Sequence, residues 1–123
     1  MKLGLFLLIS IVSLQLNAQS PAEIGKYYFV ELIPNEEMPA YSKAELDSIQ
    51  MGHMMNIRIL AEAGKLVLAG PFKDGGGLFI LKVDSEESAA TLLSSDPAVA
   101  AEKFSYEIRE WYTEKRMFTL ESK

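Results

Sequence analysis

Residues 66–83 read LVLAGPFKDGGGLFILKV, two apolar arms, Leu66 to Phe72 and Leu78 to Val83, around the connector Lys73-Asp74-Gly75-Gly76-Gly77. Both arms are rich in aliphatic and aromatic residues and suit strands. The glycines between them can take the positive φ of a tight connection, so the arms are expected to pair antiparallel. Immediately upstream, Leu46, Ile49, His53, Ile57 and Leu60 recur at spacings of three, four, four and three. That stripe predicts one amphipathic helix over Ala44 to Ala63, capped by Ser42 and stopped by Gly64. Further upstream, Lys26 to Ile33 (KYYFVELI) is a strand ending at Pro34.

Downstream, Ser85 followed by Glu86, Glu87 and Ser88 carries the cap and early negative charge of a second helix. Ala89, Ala90, Leu92 and Leu93 form its buried side, and Asp96-Pro97 closes it, because the residue before proline is pushed from helical angles. Phe104 to Thr113 (FSYEIREWYT) is the last strand. Phe104, Tyr106 and Ile108 share one side while Trp111 falls out of step, which a bulge near Glu110 would explain. The order is β-α-β-β-α-β, a ferredoxin-like α+β arrangement with an antiparallel sheet and two helices on one face. Because the strands look apolar on both faces, the uncovered face is expected to bury against a second copy, giving a homodimer.

Composition narrows the chemistry. The 123 residues are 49% hydrophobic and 24% charged, with 17 acidic against 12 basic side chains and a net charge of −5. That acidic balance argues against nucleic acid as a partner, since phosphate affinity needs clustered Lys and Arg. Zero cysteines exclude disulfides, thiolate metal sites and a cysteine nucleophile, and a single histidine excludes a multi-histidine metal centre. No metal and no cofactor is expected. Met1-Lys2 followed by the uncharged run LGLFLLISIVSLQL (3–16) and Ala18 has the order of a secretory signal peptide. As a helix that run reaches roughly 21 Å, short of the about 30 Å needed to span a bilayer. Residues 1–18 are therefore expected to be removed, leaving 19–123 as a single exported domain, periplasmic or secreted, with no stable membrane anchor.

Two side chains stand out as acid-base candidates. His53 is the one imidazole and lies on the apolar helix stripe, where it serves equally well as a packed, hydrogen-bonded core residue. Asp96, at the helix exit, is equally a turn-stabilising residue. Both helices lie on one sheet face, so the carboxylate could orient the imidazole and fix its tautomer, the logic of many base-and-orienter pairs. Met51, Met54 and Met55 flank His53 as adaptable apolar surface or core filler. Gly75-Gly76-Gly77 lacks the spacing of a phosphate-binding loop. Trp111 and Tyr112 are either strand packing or part of a ligand wall.

The run Gly52-His53-Met54-Met55-Asn56-Ile57, then LAEAGKLVLAGPF from Leu60 to Phe72, resembles the YCII-related (YciI-like) domain family. Ser85 to Ala90, Asp96-Pro97-Ala98-Val99-Ala100-Ala101 and Glu107 to Tyr112 continue the resemblance, which covers Lys26 to Phe118. It implies a ferredoxin-like fold of the dimeric α+β barrel type and places the family's active-site His and Asp on His53 and Asp96. Gly70, Pro71 and Met54 are expected to contact the ligand. Many relatives carry an Arg three residues before the His, where this chain has Gln50 and so lacks that fixed positive charge. The export signal is a second departure.

The resemblance and the side-chain chemistry together imply a cofactor-independent lyase or isomerase, in which His53 moves a proton on a small, partly apolar ring compound and Asp96 orients it. The alternative is a non-catalytic module of the same fold that binds a small ligand. Haem, with His53 as axial ligand, is a third option, suggested by the wider barrel superfamily.

Overall fold

The computed structural model describes residues 21–118; the expected signal peptide lies outside them. Strand β1 (Ile24–Pro34) leads into helix α1 (Lys43–Glu62), followed by the hairpin β2 (Leu66–Pro71) and β3 (Gly77–Leu81). Helix α2 (Glu86–Ser94), a short helix α3 (Pro97–Ala100), strand β4 (Phe104–Glu114) and a 3₁₀ turn (Lys115–Phe118) complete the order. The sheet runs β2-β3-β1-β4 with every neighbouring pair antiparallel. This is the expected ferredoxin-like α+β class.

Register assigns the faces, because cross-strand partners point the same way. Val30 pairs with Phe79 and Ile108, and Tyr28 pairs with Leu81. These residues and Leu32 meet Leu60 of α1 and Ala89 and Leu93 of α2 in one core. Val30, Leu81 and Leu93 are sealed from solvent, each worth about 1.5–3 kcal/mol of burial. The opposite face carries Tyr27, Phe29, Leu78, Ile80 and Trp111.

The bulge expected near Glu110 is not there. β1 and β4 pair without interruption from Ile24 with Glu114 to Pro34 with Phe104. Trp111 is out of step only because it belongs to the opposite face, where it pairs with Tyr27 and both rings pack on Phe118. The Tyr27 and Phe118 centroids are 4.8 Å apart. The sheet's irregularity lies instead in β2, between Leu66 and Leu68.

The helix ends are fixed by local chemistry. Ser42 Oγ accepts the Glu45 N–H at 3.2 Å, and the Glu45 carboxylate accepts the Ser42 N–H at 2.7 Å, a reciprocal capping box. Gly64 ends α1 at φ 71°, where the Lys65 N–H reaches back to the Leu60 carbonyl.

Helix α3 is an element that the sequence pattern does not announce. Asp96 does end α2, but its side chain also caps a new turn by accepting the Ala98 N–H at 2.8 Å, with Pro97 in the first helical position. The turn closes through Glu102 at φ 59°, with the Glu102 N–H on the Val99 carbonyl and the Lys103 N–H on the Ala98 carbonyl. Those two bonds make a Schellman motif with glutamate where glycine is usual. Asn35, from the loop after β1, holds the corner: its Nδ2 donates to the Glu102 carbonyl and its N–H to the Lys103 carbonyl.

Gly52 lets α1 and α3 approach. A Cβ at this position would lie 2.9 Å from Pro97 Cγ, inside normal contact, so a mid-helix glycine that costs about 1 kcal/mol in propensity is retained where two backbones must come close.

The left-handed backbone at Glu102 carries a strain of about 1 kcal/mol that glycine would not. Glu102→Gly should therefore raise the urea midpoint, with a stability gain of up to about 1 kcal/mol. A lower midpoint would mean that the glutamate side chain supplies more than its backbone costs.

Candidate active site

His53 sits in the middle of α1 and Asp96 at the start of α3, and the close approach at Gly52 brings them together. His53 Nδ1 lies 2.9 Å from both Oδ1 and Oδ2 of Asp96. Asn56, one helical turn beyond His53, donates through Nδ2 to Oδ2 at 3.0 Å. With the Ala98 N–H on Oδ1, the carboxylate collects three donors. Asp96 is 0% exposed and His53 8%, and no buried side-chain nitrogen or oxygen among the described residues lacks a partner.

The electrostatics follow from that geometry. Burial alone would raise the Asp96 pKa, but the hydrogen bonds from His53, Asn56 and the Ala98 backbone outweigh it and hold the carboxyl below its ordinary value. An ionised carboxylate has no proton to give, so His53 Nδ1 carries the hydrogen between them. The neutral imidazole then presents a bare Nε2, which has no partner among the described residues and is not sealed.

His53 lines a cleft of about 270 Å³. One wall is α1, through Gln50, His53, Met54 and Ile57; the other is the β2–β3 hairpin, through Ala69, Gly70, Pro71 and Phe79. Leu32 and Phe104 close it from β1 and β4. The Phe79 ring stands 6.0 Å from the imidazole at 13°, nearly parallel, and Phe104 is 5.9 Å away at 52°. Gly76, at φ 75°, also lines the cleft, and a Cβ there would fall 2.2 Å from the Leu32 carbonyl oxygen. The hairpin can turn against β1 only without a side chain at this position.

The structure thus joins His53 and Asp96 and puts Gly70, Pro71 and Met54 on the cleft wall, with Gln50 beside them. Met51, Met55 and Tyr112 are exposed and outside it, and Trp111 packs against Tyr27 and Phe118 on the opposite sheet face. Three residues of the site do not stand out in the sequence as site residues: Asn56, Phe79 and Phe104. Asn56 has a readable signal, a side-chain amide three residues after the histidine and hence on its face of the helix. No group of three or more His, Cys, Asp or Glu gathers among the described residues to hold a metal ion. No helix among them is long and apolar enough to cross a membrane.

Comparison with known proteins gives the family and the fold. The pattern of the YCII-related domain matches residues 28–112. The chain belongs to the YCII-related domain family. Uncharacterized protein YjpA of Bacillus subtilis (strain 168) is 35% identical over 65 residues, which cover 52% of this chain and 76% of YjpA. Among solved structures, 5-chloro-2-hydroxyhydroquinone dehydrochlorinase (TftG) from Burkholderia phenoliruptrix AC1100, in complex with 2,5-dihydroxybenzoquinone, superposes with a TM-score of 0.53. It shares 17% identity, over 69% of this chain and 92% of TftG. At that identity the likeness speaks for the fold.

Because Asp96 ionises more readily folded than unfolded, its contribution to stability is complete above the unfolded value, near 3.9, and is lost as pH falls through the lower folded value. Urea unfolding at pH 5 and at pH 2 should show a fall in stability that is smaller in Asp96→Asn than in the wild type. Equal falls would mean that the folded carboxyl titrates normally.

Proposed function

We propose that this YCII-related protein is a cofactor-independent lyase or isomerase acting on a small, partly apolar ring compound. The observation that carries the proposal is a buried carboxylate–imidazole pair whose imidazole lines an apolar cleft. A bare Nε2 accepts a proton from a substrate carbon or hydroxyl; the resulting imidazolium is stabilised by Asp96, which stays ionised. The proton then returns to a neighbouring position, giving isomerisation, or leaves with a departing group, giving elimination. Apolar walls exclude water, which strengthens the interaction between the pair and the developing charge. In this reading Asn56 is a positioning residue that keeps Asp96 square to the ring. The dehydrochlorination named for TftG is an elimination on a hydroxylated ring, and the shared fold supports the same class here.

A panel of hydroxylated and halogenated hydroquinones tests the reading. Turnover by the wild type should fall by at least about a hundredfold in His53→Ala, the usual share of a general base. Asn56→Ala should lower kcat with little change in KM, since Asn56 touches the carboxylate and not the ligand. Binding that leaves His53 signals shifted but gives no turnover in any variant would favour the non-catalytic module.

Export and pairing belong to the same proposal. The apolar sheet face opposite the helices suits a second copy, and the N-terminal sequence suits cleavage after Ala18. Native mass spectrometry of the protein recovered from its own host should give two copies of a chain beginning at Gln19. A chain that keeps Met1 would overturn export, and a single-copy mass would overturn pairing.

A further inference from the structure

We infer that the ligand of this cleft is an aromatic ring bearing an anionic oxygen, a carboxylate or an acidic phenolate, and that Lys103 receives that charge at the rim. The inference rests on the proposed function in placing the ligand at His53, and it goes further in naming the ligand's charge. Lys103 Nζ donates to Gln50 Oε1 at 3.1 Å and stands 5.4 Å from the Phe104 ring centroid. Gln50 and Phe104 both line the cleft, one from α1 and one from β4. The ammonium is therefore held beside the opening from two sides.

Three further features make it a charge receptor. Lys103 forms no ion pair among the described residues, so its charge is uncompensated by the protein. The cleft wall contains no Asp or Glu, and the nearby Asp96 charge is already met by three donors behind the imidazole. The Gln50 amide accepts the Lys103 hydrogen through one lone pair of Oε1 and has its two N–H donors to turn toward a ligand. Placement is rigid at the backbone: Lys103 follows the left-handed corner at Glu102, and its carbonyl accepts the Asn35 N–H at 3.0 Å. The near-parallel Phe79 and His53 rings favour a flat guest. A cavity of roughly 150 Å³ admits benzene, so about 270 Å³ accepts a substituted ring.

The test uses benzoate and its neutral analogue benzamide as probes, with binding read from the single imidazole's NMR signals. Wild-type protein should bind benzoate at least about tenfold more tightly than benzamide, the scale of one hydrogen bond to a charged group. Lys103→Met should bring the two within about twofold, by weakening benzoate far more than benzamide. Equal affinities in the wild type, or a benzoate preference that survives in Lys103→Met, would overturn the inference and leave the ring-binding cleft standing. Silence of His53 toward both probes would overturn the inference and the placement of the ligand at His53 together.

Discussion

A carboxylate with none of its surface in water is among the costliest groups a small domain can hold, and the structure around Asp96 is arranged to meet that cost. Three donors converge on it: a ring nitrogen and an amide from α1, and a backbone N–H from the first turn of α3. The two from α1 can be supplied only where α1 and α3 nearly touch, which sets the requirement for glycine at position 52. The short helix exists because Asp96 caps it and Pro97 starts it. Local folding and site assembly are therefore one event at this corner.

The sheet determines where that corner can be used. Central β1 pairs with both β3 and β4 over long registers, so Leu32, Phe79 and Phe104 end up around the same opening although they are far apart in sequence. The hairpin supplies the far wall, and Gly76 lets it turn against β1. The result is a largely apolar recess with the His53 ring among its lining groups.

Much of this is legible in the chain. The helix stripe ending at Gly64, the two arms around the glycine connector and the Ser42 cap all obey short-range rules, and those elements lie where the spacing places them. His53 and Asp96 are recognisable as a pair by their chemistry and by family resemblance. Less legible is α3, because Asp-Pro is both a helix stop and a helix start, and sequence alone favours the first meaning. Trp111 looks like an irregularity as long as the strand is read for one apolar face. The strand in fact serves two, and only pairing with Tyr27 and the ring of Phe118 reveals the second. Phe79 and Phe104 carry no local mark at all, since their role comes from register between distant strands.

The depth of the cleft divides its residues into two kinds. The floor is made of groups that also hold the domain together, so a change at Asp96 or Gly52 disturbs folding before it alters chemistry. The rim is made of Gln50, Met54 and Lys103, whose outer atoms meet solvent and which lie outside the principal core. Substitutions there are close to energetically independent of the core. An architecture divided in this way can vary at its mouth by drift while inheriting the same buried carboxylate–imidazole pair beneath it.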